Sequence, residues 1–166
     1  MGELPDQALP PARWRYVDDY MILFTEPNVP IPDELWDQVL LAIDGEGLRG
    51  VLSATGGDGF AKISKKQWRM SASITRQRGY PVAAVTQHRI TLAMTRAANW
   101  LGGNNVAFKW VHLDDALEHL KVEPERRFAF REVLQELRAG IPPLSGKEDW
   151  PKGWGPDGPI RAEAHG

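Results

Sequence analysis

The chain has 166 residues, a net charge of −2, 42% apolar and 25% charged residues and no cysteine, the make-up of one globular domain with tails. Without cysteine it has no disulfide, no thiolate zinc ligand and no thiol nucleophile. Its start, MGELPDQALPPAR, sets acids and prolines where a secretory signal needs a basic end and an apolar run, and no stretch approaches the roughly 18 apolar residues of a membrane span, so a cytoplasmic location is expected.

Residues 1–12 read as a polar tail, 13–140 as the domain and 141–166 as a Gly/Pro/Trp tail with little to bury. Deleting 145–166 is accordingly expected to leave the melting temperature within a few degrees. Trp14 to Thr25 (WRYVDDYMILFT) alternates and then runs apolar, which predicts a strand pair or one bent strand broken at Asp18-Asp19. Pro32 suits a first helical turn, with Asp33 and Glu34 at its positive end, and Leu35, Trp36, Val39, Leu40 and Ile43 recur at helical spacing until Gly45 and Gly47. Arg49 to Ala54 is a buried strand followed by the glycine-rich loop Thr55 to Gly59. Ser64 and Gln67 fit a capping box for a second helix facing inward through Ile63, Gln67, Met70 and Ile74, with Gly79 as its stop.

Pro81 to Val85 is a strand, and His88 to Leu101 a helix whose face is Ile90, Met94, Ala97 and Leu101, capped by Gly102-Gly103. Val106 to Val111 is a strand, Asp114 caps a short helix through Leu120, and Pro124 opens a last helix with Phe128, Phe130, Val133, Leu134 and Leu137 inward. Alternating strands and helices imply an α/β fold: a mixed, mainly parallel sheet of four or five strands with covering helices. Its core is expected to include Ile22, Leu23, Val51, Leu52, Val82, Val85, Val106 and Phe108.

The charges are segregated. From Gly59 to Leu113 there are nine Lys/Arg and no acid, while the remainder carries 11 Lys/Arg against 22 Asp/Glu. Lys62, Lys65, Lys66 and Arg69 crowd the start of the second helix, where they add to the dipole's positive end instead of opposing it. They point to an acidic protein partner, unless the acidic flanks fold back and neutralise them. Gly56 and Gly57, after a strand, and His88 and Arg89, after another, form a second candidate: a small-anion or enzymatic site at the carboxyl edge of the sheet. The loop lacks GxxxxGK[ST] and GxGxxG, and no nucleophile, base and orienting group stand together, so a binding module is the expectation over an enzyme. His112 and His119 are poorly spaced for a metal pair, and neither a metal nor a cofactor is expected. Nucleic acid is disfavoured by the acidic flanks and by the lack of interleaved aromatics. Seven tryptophans are many for this length; Trp36, Trp68, Trp100 and Trp110 fall in elements, and Trp150 and Trp154 in the tail, as a docking motif or a fold-back segment.

The segment Pro81 to Leu120 reads PVAAV, a helix ending ANWLGG, VAFKWV and LDDALEHL. In this order the pieces resemble the end of bacterial STAS-domain proteins of the anti-sigma factor antagonist type, and the likeness extends over roughly residues 14–121. It implies a regulatory, non-enzymatic module that binds a protein partner through the second helix and the loop before it. Regulatory members of that group carry an Asp-Ser pair there, phosphorylated by a partner kinase. Here the pair is Ile63-Ser64, so Ser64 matches by position. The helix after Pro124 lies beyond the family core, as a cover or a homodimer surface.

Overall fold

The computed structural model describes residues 9–57, 59–89, 91–93 and 104–138, and the backbone of Trp154, Gly155, Gly158 and Pro159. β1 (Ala12–Val17) and β2 (Tyr20–Thr25) form an antiparallel hairpin, Ala12 opposite Thr25 and Val17 opposite Tyr20. Asp18, at φ 51°, makes the tight turn, a left-handed backbone that Asp tolerates better than most residues. β3 (Gly50–Thr55), β4 (Val82–Val85) and β5 (Asn105–Phe108) follow β2 in parallel, and the sheet order is β1-β2-β3-β4-β5. The sheet is therefore five-stranded and mixed, with one antiparallel pair.

Every residue of β2 is buried, because both faces of this strand are covered; hence its unbroken apolar run. On one face Met21, Leu23 and Val51 meet α1 (Asp33–Ile43) through Trp36, Val39, Leu40 and Ile43. On the other, Tyr20, Ile22, Phe24, Leu52, Ala54, Ala83 and Val85 meet α3 (Leu113–His119) and α4 (Arg127–Leu137). α4 is a cover: Phe130, Leu134 and Leu137 are buried, and the Phe130 ring meets Tyr20 edge-on at 5.4 Å. Among the described residues no helix is long and apolar enough to cross a membrane.

α2 (Lys65–Arg78) opens on the expected capping box: Ser64 Oγ accepts from Gln67 N, and Ser64 N donates to Gln67 Oε1. Gly79, at φ +74°, ends the helix in the left-handed region that glycine adopts freely. Other details differ from expectation. Met70 is 40% exposed, because α2 touches the domain along Gln67, Ser71 and Ile74 and Met70 falls on the far side. Val106 and Phe108 are only half-buried, since β5 is an edge strand, and Val82 is half-buried on the face below α2. Asp114 caps nothing; it stands in the first turn of α3 and pairs with Arg131 of α4. Pro124 opens a 3-10 turn that leads into α4. The face assigned to Ile90, Met94, Ala97 and Leu101, its Gly102-Gly103 cap, Trp100, and most of the tail including Trp150 lie outside the described residues. Of the tail, β6 (Trp154–Gly155) and β7 (Gly158–Pro159) pair antiparallel, and β7 lies beside α4.

Candidate functional site

Backbone geometry sets the basic segment before any side chain is considered. Asn28 N donates to Phe60 O at 2.8 Å, and Pro30 and Lys62 form a parallel bridge, so residues 59–62 run along the β2–α1 connection. A Cβ on Gly59 would stand 2.5 Å from Pro27, so only glycine fits this approach. Gln67 extends the attachment into α2: its Nε2 donates to Ile31 O at 2.9 Å and to Asp33 Oδ1 at 3.0 Å. Trp36 of α1 adds a third tie, its Nε1 donating to Gln67 O at 3.2 Å and Ser71 Oγ at 3.1 Å.

The structure brings Lys62, Lys65, Lys66 and Arg69 together on this frame, all exposed. Among the described residues none of the four pairs with an acid. Arg76 continues the strip along the same side of α2, roughly 16 Å from Lys65 at 1.5 Å per residue. Arg78 behaves differently: it donates to Asp44 at 2.8 Å, and this hydrogen bond raises its pKa. The acidic flanks thus neutralise a cation at the end of α2, whereas at its start Asp33 meets Gln67 and none of the four cations. Ser64, between Lys62 and Lys65, is exposed and its hydroxyl is engaged at the cap.

At the carboxyl edge the other candidates are arranged for packing. Gly56 is buried and its N–H donates to Thr25 O at 3.4 Å, while Gly57 takes φ +58°. The His88 ring lies 5.0 Å from Phe60, with Nδ1 3.3 Å from Thr91 Oγ1. Arg89 is exposed. What lines this edge instead is a row of buried threonines closing successive strands: Thr25, Thr55 and Thr86. Thr25 and Thr55 share a hydrogen bond at 3.0 Å, Thr86 Oγ1 accepts from His88 N at 3.1 Å, and Trp110 Nε1 donates to Thr55 O at 2.9 Å. The recurrence of Thr at strand ends was visible in the sequence and is the signal that could have found them. Among the described residues no three His, Asp or Glu side chains cluster as metal ligands would; His112 pairs with Asp115, and His119 lies 3.4 Å from Asn104 O.

Comparison of the chain with protein-family models, with curated proteins and with solved structures returned no match.

Proposed function

We propose that this chain is a non-enzymatic regulatory module, resembling the STAS anti-sigma factor antagonists, that binds an acidic protein surface through the basic loop and α2. One observation carries the reading: Lys62, Lys65, Lys66 and Arg69 stand exposed, without an acidic partner among the described residues, at a helix start that has no acid in its first turn. Like charges one turn apart each cost a few tenths of a kcal/mol, and cations at this end add to the dipole's positive charge. Stability alone favours acids here, as at Asp33 and Glu34 of α1. The anchoring of the loop to Pro30 and of Gln67 to Ile31 fixes the backbone that carries the cations, which leaves only their side chains to be ordered on binding. The order of elements, a hairpin followed by three strands in parallel, is that of a general α/β class with which the resemblance is compatible. A small-anion site at Gly56, Gly57, His88 and Arg89 has less support, because the Gly56 N–H and the His88 Nδ1 are already engaged within the fold.

The test is a pull-down with the purified chain at low and moderate salt, beside the double variant Lys65→Glu, Lys66→Glu. The expected result is capture that falls as salt rises, since exposed charges are screened within about 8 Å at physiological ionic strength, and no capture by the variant, which keeps the wild-type melting temperature or gains slightly. Normal capture by a folded variant overturns the reading.

A further inference from the structure

The underside of α2 holds a separate feature, independent of its basic face. α2 stands off the sheet and leaves a pocket of about 170 Å³. Its floor is Val51 and Ser53 of β3 and Ala84 of β4; its roof is Trp68, Ala72 and Thr75 of α2. The gap has a plain cause in the sequence. Ser53, Ala84 and Ala72 are small where a packed α/β layer carries Val, Leu or Ile. Nor can the helix settle to close it. Trp36 holds α2 at Gln67 and Ser71, and Gln67 holds it to Ile31 and Asp33. Cavities persist where the surroundings relax only in part.

The polar groups around this pocket are nearly all spent. Thr55 shares its hydrogen bond with Thr25, Ser71 Oγ donates to Gln67 O at 2.9 Å, and Thr75 Oγ1 donates to Ala72 O at 3.2 Å. Among the hydroxyls Ser53 is the exception; the amide of Asn105, at the β5 side of the pocket, is also without a hydrogen bond among the described residues. Ser53 sits in the middle of the central strand, between Leu23 and Ala84 in register, half-buried, and its hydroxyl has no hydrogen-bond partner among the described residues. This hydroxyl keeps some accessible surface, so a molecule that fills the pocket has to offer it a polar atom in place of water. The pocket also reaches Thr55 and Thr86 at the carboxyl edge of the parallel strands, the side on which ligands enter sheets of this kind.

We propose that this pocket binds a small single-ring apolar molecule carrying one polar substituent, with the ring between Ala72 and Ala84 and the substituent on Ser53 Oγ. Size sets the class: an apolar cavity of about 150 Å³ accepts benzene, and the pocket here is slightly larger. Chemistry sets the rest, because an unspent hydroxyl on the floor of a mainly apolar lining selects a polar atom over a further methyl.

The experiment is a titration of the methyl-labelled full-length chain with phenol and, separately, with benzene, followed by NMR. Both probes are expected to give saturable shifts confined to methyls around the pocket, among them Val51, Ala72 and Ala84. Ser53→Ala should weaken phenol about five- to tenfold, the worth of one hydrogen bond, and leave benzene within twofold. Ala84→Leu fills the pocket from the floor and should abolish both; if that variant does not fold, Ala72→Leu fills it from the roof with the same readout. The proposal is overturned if neither probe gives a saturable shift, or if binding survives in a folded, filled variant. A Ser53→Ala chain that binds phenol as well as the wild type overturns the assignment of the polar contact.

Discussion

Gln67 is the only fully buried residue of α2, and it is polar. Its side chain closes the capping box and also reaches Ile31 O and Asp33 Oδ1, so one amide ties the helix start to the β2–α1 connection. Gln67→Ala is expected to destabilise the domain by about 2–3 kcal/mol, because it strands the buried Ile31 O and removes two further hydrogen bonds, whereas Ser64→Ala removes a single cap worth about 1 kcal/mol. Urea denaturation of the two variants checks the order. The cap was legible from the spacing of Ser64 and Gln67; the inward bonds were not, since they join residues more than thirty positions apart. Tyr80 gives a pH signature. Burial, aided by the nearby Asp44 charge, pushes its phenol up to about 12 from 10.0, and its hydroxyl donates to Ile43 O. Below pH 10 the phenol is protonated in both the folded and unfolded chains, and its contribution is complete. Between pH 10 and 12 the unfolded chain gives up this proton first, so stability falls by on the order of 2 kcal/mol. Burial also raises Tyr20, which adds in the same direction. Denaturation midpoints from pH 8 to 12 should fall less steeply for Tyr80→Phe, which should also start about 1 kcal/mol lower at pH 7 from the lost hydrogen bond.

Among the elements, α2 and α4 contrast most. α4 buries Phe130, Leu134 and Leu137 at the spacing that the sequence displayed, and its 3.6-residue period was read correctly because one whole side of it is core. Phe130→Ala is expected to cost about 3–5 kcal/mol, measurable as a lower thermal midpoint. In α2 the same kind of reading placed Met70 inside, and it is outside. The periodic signal there is weak because the helix leans on α1 and roofs a gap instead of lying flat on β3 and β4. Met70→Gln is therefore expected to change stability by no more than about 0.5 kcal/mol. The small residues Ser53, Ala72 and Ala84 show why the pocket could not be read in advance. Each is unremarkable alone, and the feature exists only where a strand pair and a helix bring them face to face. β1 is more transparent: Arg13 and Arg15 stand on the edge strand and reach Leu137 O and Glu136 of α4, charges that also discourage pairing with another chain.

At the scale of the molecule, the α/β class and the mixed, mainly parallel sheet with its opening strand pair were legible because each strand carries its own apolar run, whereas the order of the strands in the sheet was not. The way the helices divide between the two faces was not, because crossover direction leaves no local mark on composition. The sequential order β1 to β5 has a consequence for synthesis. One face of the sheet has α1, α2 and Tyr80 to cover it within the first eighty residues. The other face, with Tyr20, Ile22, Phe24 and Leu52, is closed by α3 and α4, which end only at Leu137. At roughly 5–20 residues per second, that side of the nascent chain stays bare to water for several seconds after α1 and α2 have been made. Chains halted before α4 should accordingly be held by chaperones or lost to aggregation, and slow elongation between codons 80 and 137 should lower soluble yield while the finished protein keeps its full melting temperature.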